Sequence, residues 1–134
     1  MCGRMANPLP HDAVAKLFDA VPANALPQLP DYNICPTQDV AVVTQEEGRR
    51  YRPMRWGFVP VWYKKLNDGP LLINARSETV AEKPAFRKAV RERRCLVPVS
   101  GFYEWLREGD EKLPHYFHRA NGQPLVMAGI WQEW

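Results

Sequence analysis

No apolar run in this sequence approaches the ~18 residues of a membrane-crossing helix, and no apolar stretch follows the N-terminus as a secretory leader requires. A cytoplasmic protein with no membrane partner is the expectation. Cysteine is scarce. Cys2, Cys35 and Cys95 are odd in number, widely spaced and free of any CxxC pair, which excludes a disulfide framework and a zinc-site pattern. The histidines, His11, His115 and His118, lack metal-ligand spacing with any acidic or cysteine partner and read as surface or strand residues; no metal and no cofactor is expected. Charge of one sign is lacking too. The 18 Lys and Arg stand against 15 Asp and Glu, and a net charge of +3 does not by itself argue for nucleic acid.

Proline, by contrast, is abundant: 13 of 134 residues, about twice the usual ~5%, spread from Pro8 to Pro124. Interior proline removes a backbone donor and clashes with the preceding turn, so long helices have few places to form. At ~150 residues per domain and 46% hydrophobic content, the chain makes one domain. Helical periodicity appears from His11 to Val21, with Val14, Leu17, Phe18 and Val21 on one face, and again from Pro84, with Phe86, Ala89 and Val90 inward. Ala41–Thr44, Leu71–Asn74, Leu96–Val99, His115–Phe117 and Leu125–Ile130 read as strands. Glu108-Gly109-Asp110 and Asn121-Gly122 read as hairpin turns, the second as type I′. The expected class is α+β, with mixed or antiparallel sheet and a few short helices. Leu125 to Trp134 reads as a buried strand ending without a polar tail, which would leave Ile130, Trp131 and Trp134 on an unpaired edge. The expectation is a domain lacking its C-terminal portion or completed by another chain.

Four patterns could carry chemistry. Loss of Met1 would make Cys2 the first residue, with a thiol and a primary amine on adjacent carbons. Model amines titrate near ~7.7–8.0 and thiols near ~8.5, so both are partly nucleophilic at neutral pH. Such an aminothiol condenses with an aldehyde to a thiazolidine, or attacks an amide with its own amine as base. Asn74-Ala75-Arg76-Ser77-Glu78-Thr79 leaves a strand end, where a rigid element meets an accessible loop. Glu104 sits among aromatics in Ser100-Gly101-Phe102-Tyr103-Glu104-Trp105, an environment suited to proton transfer. Arg49, Arg50, Arg52 and Arg55, then Lys64 and Lys65 after Trp62-Tyr63, interleave cations with aromatics as single-stranded nucleic-acid sites do. Singly, each has a bland counterpart: a cysteine after the start codon, a solvated loop, an alternating strand, a solvated charged face.

Their combination is more specific. Met-Cys-Gly-Arg at the start, Asn33-Ile34-Cys35-Pro36-Thr37-Gln38, Arg55-Trp56-Gly57-Phe58-Val59-Pro60, the hexad from Asn74 and the segment Ser100–Trp105 occur in order. Across essentially the whole chain this resembles the SOS response-associated peptidase (SRAP) family of abasic-site processing proteins. The resemblance implies an SRAP-like fold with a barrel-like core of mixed and antiparallel sheet, residues 1–134 forming a single SRAP domain. It implies a DNA-repair function linked to the SOS response, in which Cys2 captures the aldehyde of an abasic site in single-stranded DNA as a covalent thiazolidine. On that basis Asn74 would orient the cysteine or sugar and Glu104 would move protons. Arg4 and Arg76 would hold flanking phosphates, Trp62 and Tyr63 would wedge against bases, and Pro36 and Thr37 would line the cleft. A monomer is the simplest match, nucleoid-associated when acting on DNA.

Two features depart from the family pattern. Members are longer, with a catalytic histidine in a His-x-Arg-Met-Pro-like motif that has no counterpart here, and an intact Met1 would block the Cys2 amine. An N-terminal-nucleophile amidotransferase also begins Met-Cys-Gly, but its Arg-Gly-Pro-Asp and Asn-Gly-Glu motifs are absent. A thiol autopeptidase acting through Cys2 and Glu104, and a non-covalent single-stranded-DNA-binding module, are the other readings.

Overall fold

A computed structural model describes residues 2–134; Met1, on whose removal the aminothiol chemistry depends, lies outside the described residues. The elements in order are β1 (Met5–Asn7), α1 (His11–Leu17), β2 (Val21–Pro22), β3 (Asp31–Ile34), β4 (Asp39–Glu46) and β5 (Gly48–Arg55), followed by α2 (Ala89–Glu92), β6 (Arg94–Val99), β7 (Gly101–Glu108), β8 (Glu111–His118) and β9 (Leu125–Ile130). They form a four-stranded sheet ordered β3-β1-β7-β8 and a five-stranded sheet ordered β2-β5-β4-β6-β9. The first is antiparallel throughout; the second is antiparallel apart from the β2–β5 pair. The α+β class, with mixed and antiparallel sheets and short helices, is thus the one expected. The sheets keep open edges and do not close into a barrel among the described residues.

The core is built on β4, buried without interruption from Val40 to Thr44. Alternation sends Val40 and Val42 to one side, where they meet Met5, Ile34, Cys95 and Val99, so residues of both sheets share one cluster. Ala41 and Val43 face the other side, against Val14 and Ala15 of α1 and the fully buried Tyr51 of β5. A strand covered on both faces needs apolar residues at consecutive positions, which is what Val40-Ala41-Val42-Val43 supplies.

Several boundaries differ from the sequence expectation, each for a local reason. α1 stops at Leu17 because Asp19 takes a positive φ of 51° and the chain closes a Schellman turn, Ala20 N donating to Ala15 O at 2.8 Å and Asp19 N to Lys16 O at 3.1 Å. Val21 then pairs with β5 instead of extending the helix. The helix expected from Pro84 is only Ala89–Glu92. Lys83 O accepts from both Phe86 N and Arg87 N, closing a separate turn ahead of it. Leu71–Asn74 is not a strand beyond a bridge between Phe58 and Leu72, since the Ile73 carbonyl is taken by the Trp56 indole N–H at 2.9 Å. The arginines 49, 50, 52 and 55 lie on β5, a full strand hidden in the sequence by its charge.

Gly109, with φ 59°, sits in the two-residue turn of the β7–β8 hairpin as expected. Asn121-Gly122 does not form a hairpin: β8 and β9 lie in different sheets, and only Gly122 has a positive φ where type I′ needs two. The C-terminal strand is β9, at the edge of the five-stranded sheet; Ile130 and Trp131 are half-buried and Trp134 is 52% exposed. No helix among the described residues is long and apolar enough to cross a membrane.

Burial pushes the Cys95 thiol up to about 11. The unfolded chain therefore loses this proton first, and the contribution to stability, whole below pH ~9, is lost as pH rises toward ~11. Urea midpoints measured from pH 8 to 11 are expected to fall, and to fall less steeply in Cys95→Ala. An identical slope in the variant would show that Cys95 is not a source of the alkaline loss.

Candidate active site

Cys2 precedes β1 and packs, half-buried, against the cluster shared by the two sheets. Its carbonyl accepts a 2.6 Å hydrogen bond from Asn74 Nδ2. Asn74 follows the segment that the Trp56 indole holds through Ile73, so a residue far along the chain is delivered to the N-terminus by a fixed loop. The Cys2 Sγ lies 3.5 Å from Arg4 O. Burial pushes the thiol above its ordinary value; a backbone contact with Arg4 works against this, and the negative charge of Glu104 adds to it. Glu104 is half-buried on β7, two residues beyond Phe102, which is paired with Met5 of β1.

Cys2 and Asn74 line an open cavity of about 860 Å³, with Met5, Trp56, Phe58 and Trp131 among its walls. A larger depression of about 970 Å³ lies at the β2–β5 edge, where Arg49, Arg50 and Arg52 are offset by Asp19 and Glu47. It holds no cysteine, serine or threonine, so the Cys2 cavity is the candidate for chemistry. Among the described residues, no group of three His, Cys, Asp or Glu is placed to hold a metal ion.

The candidate DNA-binding residues are more scattered. Arg4 donates to Asn33 Oδ1 at 3.0 Å, its guanidinium carbon 5.9 Å from the Trp105 ring centre. Arg76 is exposed and opens the turn after Asn74, its carbonyl accepting from Thr79 N and Val80 N. Pro36 and Thr37 occupy a tight turn in which Thr37 has φ 77° and donates its N–H to Trp56 O at 2.7 Å. Trp62 is 54% exposed, whereas Tyr63 is half-buried and braces its loop, its hydroxyl donating to Pro70 O at 3.0 Å and its carbonyl accepting from the Trp134 indole. Trp56 is the residue that sequence reasoning missed as part of the site. Its backbone and indole tie the Thr37 turn to the Asn74 segment, and its place in Arg55-Trp56-Gly57 was the available signal.

The family described as SOS response associated peptidase (SRAP) matches residues 1–134. The chain is 34% identical to the abasic site processing protein YoaM of Bacillus subtilis over 139 residues, covering 100% of this chain and 60% of that protein. It is 34% identical to the abasic site processing protein YedK of Escherichia coli, covering 97% of this chain and 59% of that protein. A crystal structure of a protein from Bordetella bronchiseptica superposes with a TM-score of 0.79 at 28% identity, covering 98% of this chain and 64% of the other. The chain thus spans about 60% of the length of these curated relatives.

Since the Glu104 charge helps to raise the Cys2 thiol, its removal lowers that value. In a Cys35→Ser background, the pH profile of iodoacetamide alkylation at Cys2 is expected to move to lower pH in Glu104→Gln. A profile that stays in place would show that the carboxylate does not act on the thiol.

Proposed function

The chain belongs to the SOS response associated peptidase family, and from that membership we propose that it processes abasic sites in single-stranded DNA by trapping the opened sugar covalently on Cys2. Removal of Met1 frees the Cys2 amine. The amine adds to the sugar aldehyde and expels water as the imine forms. The thiol sulfur then adds to the imine carbon, its proton passes to the nitrogen, and a thiazolidine closes with no oxidant or reductant consumed. Glu104, whose charge is already felt by the Cys2 thiol, carries protons during ring opening and imine formation.

The observation that carries this reading is the Asn74–Cys2 hydrogen bond. It takes the Cys2 carbonyl, which the reaction does not use, and so orients the residue without occupying its amine. Arg76, two residues beyond Asn74, and Arg4, two beyond Cys2, hold the phosphates on either side. Trp62, the more exposed of the pair, wedges against a neighbouring base while Tyr63 braces the loop; the Pro36–Thr37 turn, tied to Trp56 and outside the wall of the Cys2 cavity, contacts the DNA strand beside it. The peptidase activity in the family's description corresponds here to removal of Met1 through Cys2 and Glu104, which intact mass of the Glu104→Gln protein reads directly.

We read residues 1–134 as one domain of the family.

Incubated with a single-stranded oligonucleotide carrying one abasic site, the protein is expected to give a gel-shifted species that survives denaturation. Cys2→Ala and an intact oligonucleotide give none, and an adduct with Cys2→Ala would overturn the reading. Asn74→Ala is expected to slow adduct formation more than it weakens binding. Arg76→Ala does the reverse, weakening binding and flattening its salt dependence by about 0.7 in slope. Equal losses of rate and affinity in both variants would contradict this division of roles.

A further inference from the structure

β7 and β8 pair residue for residue from Gly101↔His118 to Glu108↔Glu111. Neighbouring side chains on a strand point to opposite faces, so this register sorts the hairpin's chemistry. One face takes Tyr103 opposite Tyr116, Trp105 opposite Pro114 and Arg107 opposite Lys112. The other takes Phe102 opposite Phe117, Glu104 opposite His115 and Glu108 opposite Glu111. Phe102 packs on the core and makes the second face the inward one at the base of the hairpin, while on that same face Phe117 and Leu106 are 49% and 51% exposed. The strand carboxylates thus share the face of the Phe102–Phe117 stack, and the two cations share the outward face with Tyr103, Trp105 and Tyr116.

The outward rings are braced in a row. Tyr103 lies 5.1 Å from Tyr116 and 6.3 Å from Trp105 between ring centres, and Tyr116 lies 5.4 Å from His118. The Tyr116 ring occupies the space that a side chain on Gly101 would fill, and its hydroxyl is 2.7 Å from Ser100 Oγ. The Tyr103 hydroxyl donates to Tyr32 O at 3.0 Å. Trp105 and Tyr116 nevertheless remain 41% exposed. Arg4 joins the same face: its carbonyl accepts from Tyr103 N at 3.0 Å, and its guanidinium lies over Trp105.

We propose that this outward face of the β7–β8 hairpin is a stacking platform for single-stranded DNA beyond the lesion, starting at Arg4 and running toward Arg107 and Lys112. Charge complementarity selects the occupant. An apolar partner would cover Arg107 and Lys112 without neutralising them, whereas bases on the rings and phosphates on the cations satisfy both, and Glu108 and Glu111 stand on the opposite face. The proposal rests on the function proposed above for the identity of the strand, and it adds a binding surface that the covalent step does not require.

The test uses a fluorescently labelled oligothymidylate of about 15 nucleotides without any abasic site, read by anisotropy. Trp105→Ala is expected to weaken binding about tenfold or more, with Trp105→Phe restoring most of it. Arg107→Gln combined with Lys112→Gln is expected to reduce the salt slope by about 1.4. Adduct yield at saturating abasic oligonucleotide stays at the wild-type level in all three. Unchanged affinity in Trp105→Ala together with an unchanged salt slope in the double variant overturns the platform, even if the adduct forms normally. Trp105-dependent binding by a protein that forms no adduct supports the platform while refuting the covalent function.

Discussion

The two-sided burial of β4 is the constraint on which the rest of this protein depends. Val40 and Val42 point into the cluster shared by both sheets, while Ala41 and Val43 point toward α1 and Tyr51. β5 pairs along one edge of β4 and β6 along the other, and β6 leads through Ser100 into β7. Because Met5 sits in the first cluster, the same burial sets where the residues before β1 begin. Cys2 is held beside the cavity as a consequence of core packing and not of any contact within the site alone.

That position has a chemical cost and a use. A half-buried thiol beside a carboxylate is held back from ionising, which disfavours simple thiolate attack. It leaves intact the proposed amine-first sequence, in which the sulfur adds only after the imine has formed and gives up its proton in the same step. Burial and Glu104 therefore suit a reaction that uses the two nucleophiles of Cys2 in order.

The prolines shape how the site is assembled. They keep helices short, so the segment from Gly57 to Lys88 crosses the surface mainly as loops and turns held by specific hydrogen bonds. The Trp56 indole on Ile73 O, Tyr63 on Pro70 O and Asn74 on Cys2 O are such anchors. Loops pinned at a few points can present Arg76 and Trp62 to solvent while holding Asn74 in place.

Periodicity and punctuation in the sequence were enough for the class of fold, the start of α1, the span of β9 and the turn at Gly109, because each depends on side chains close together along the chain. The motifs were enough for the family. Local signals misled where a distant group competed for the backbone: Ile73 O went to the Trp56 indole and not to a strand, and Val21 left its helix to pair with Arg50. The charge of β5 concealed a strand whose inward anchor is the single buried Tyr51. The Asn74–Cys2 contact was foreshadowed by the family motif and not by any local signal, whereas that the Asn121-Gly122 turn joins two sheets and that hairpin charges separate onto opposite faces were decided by tertiary structure alone. These last two depend on strand order and pairing register, which arise from how distant apolar faces find each other and leave no mark at the residues concerned.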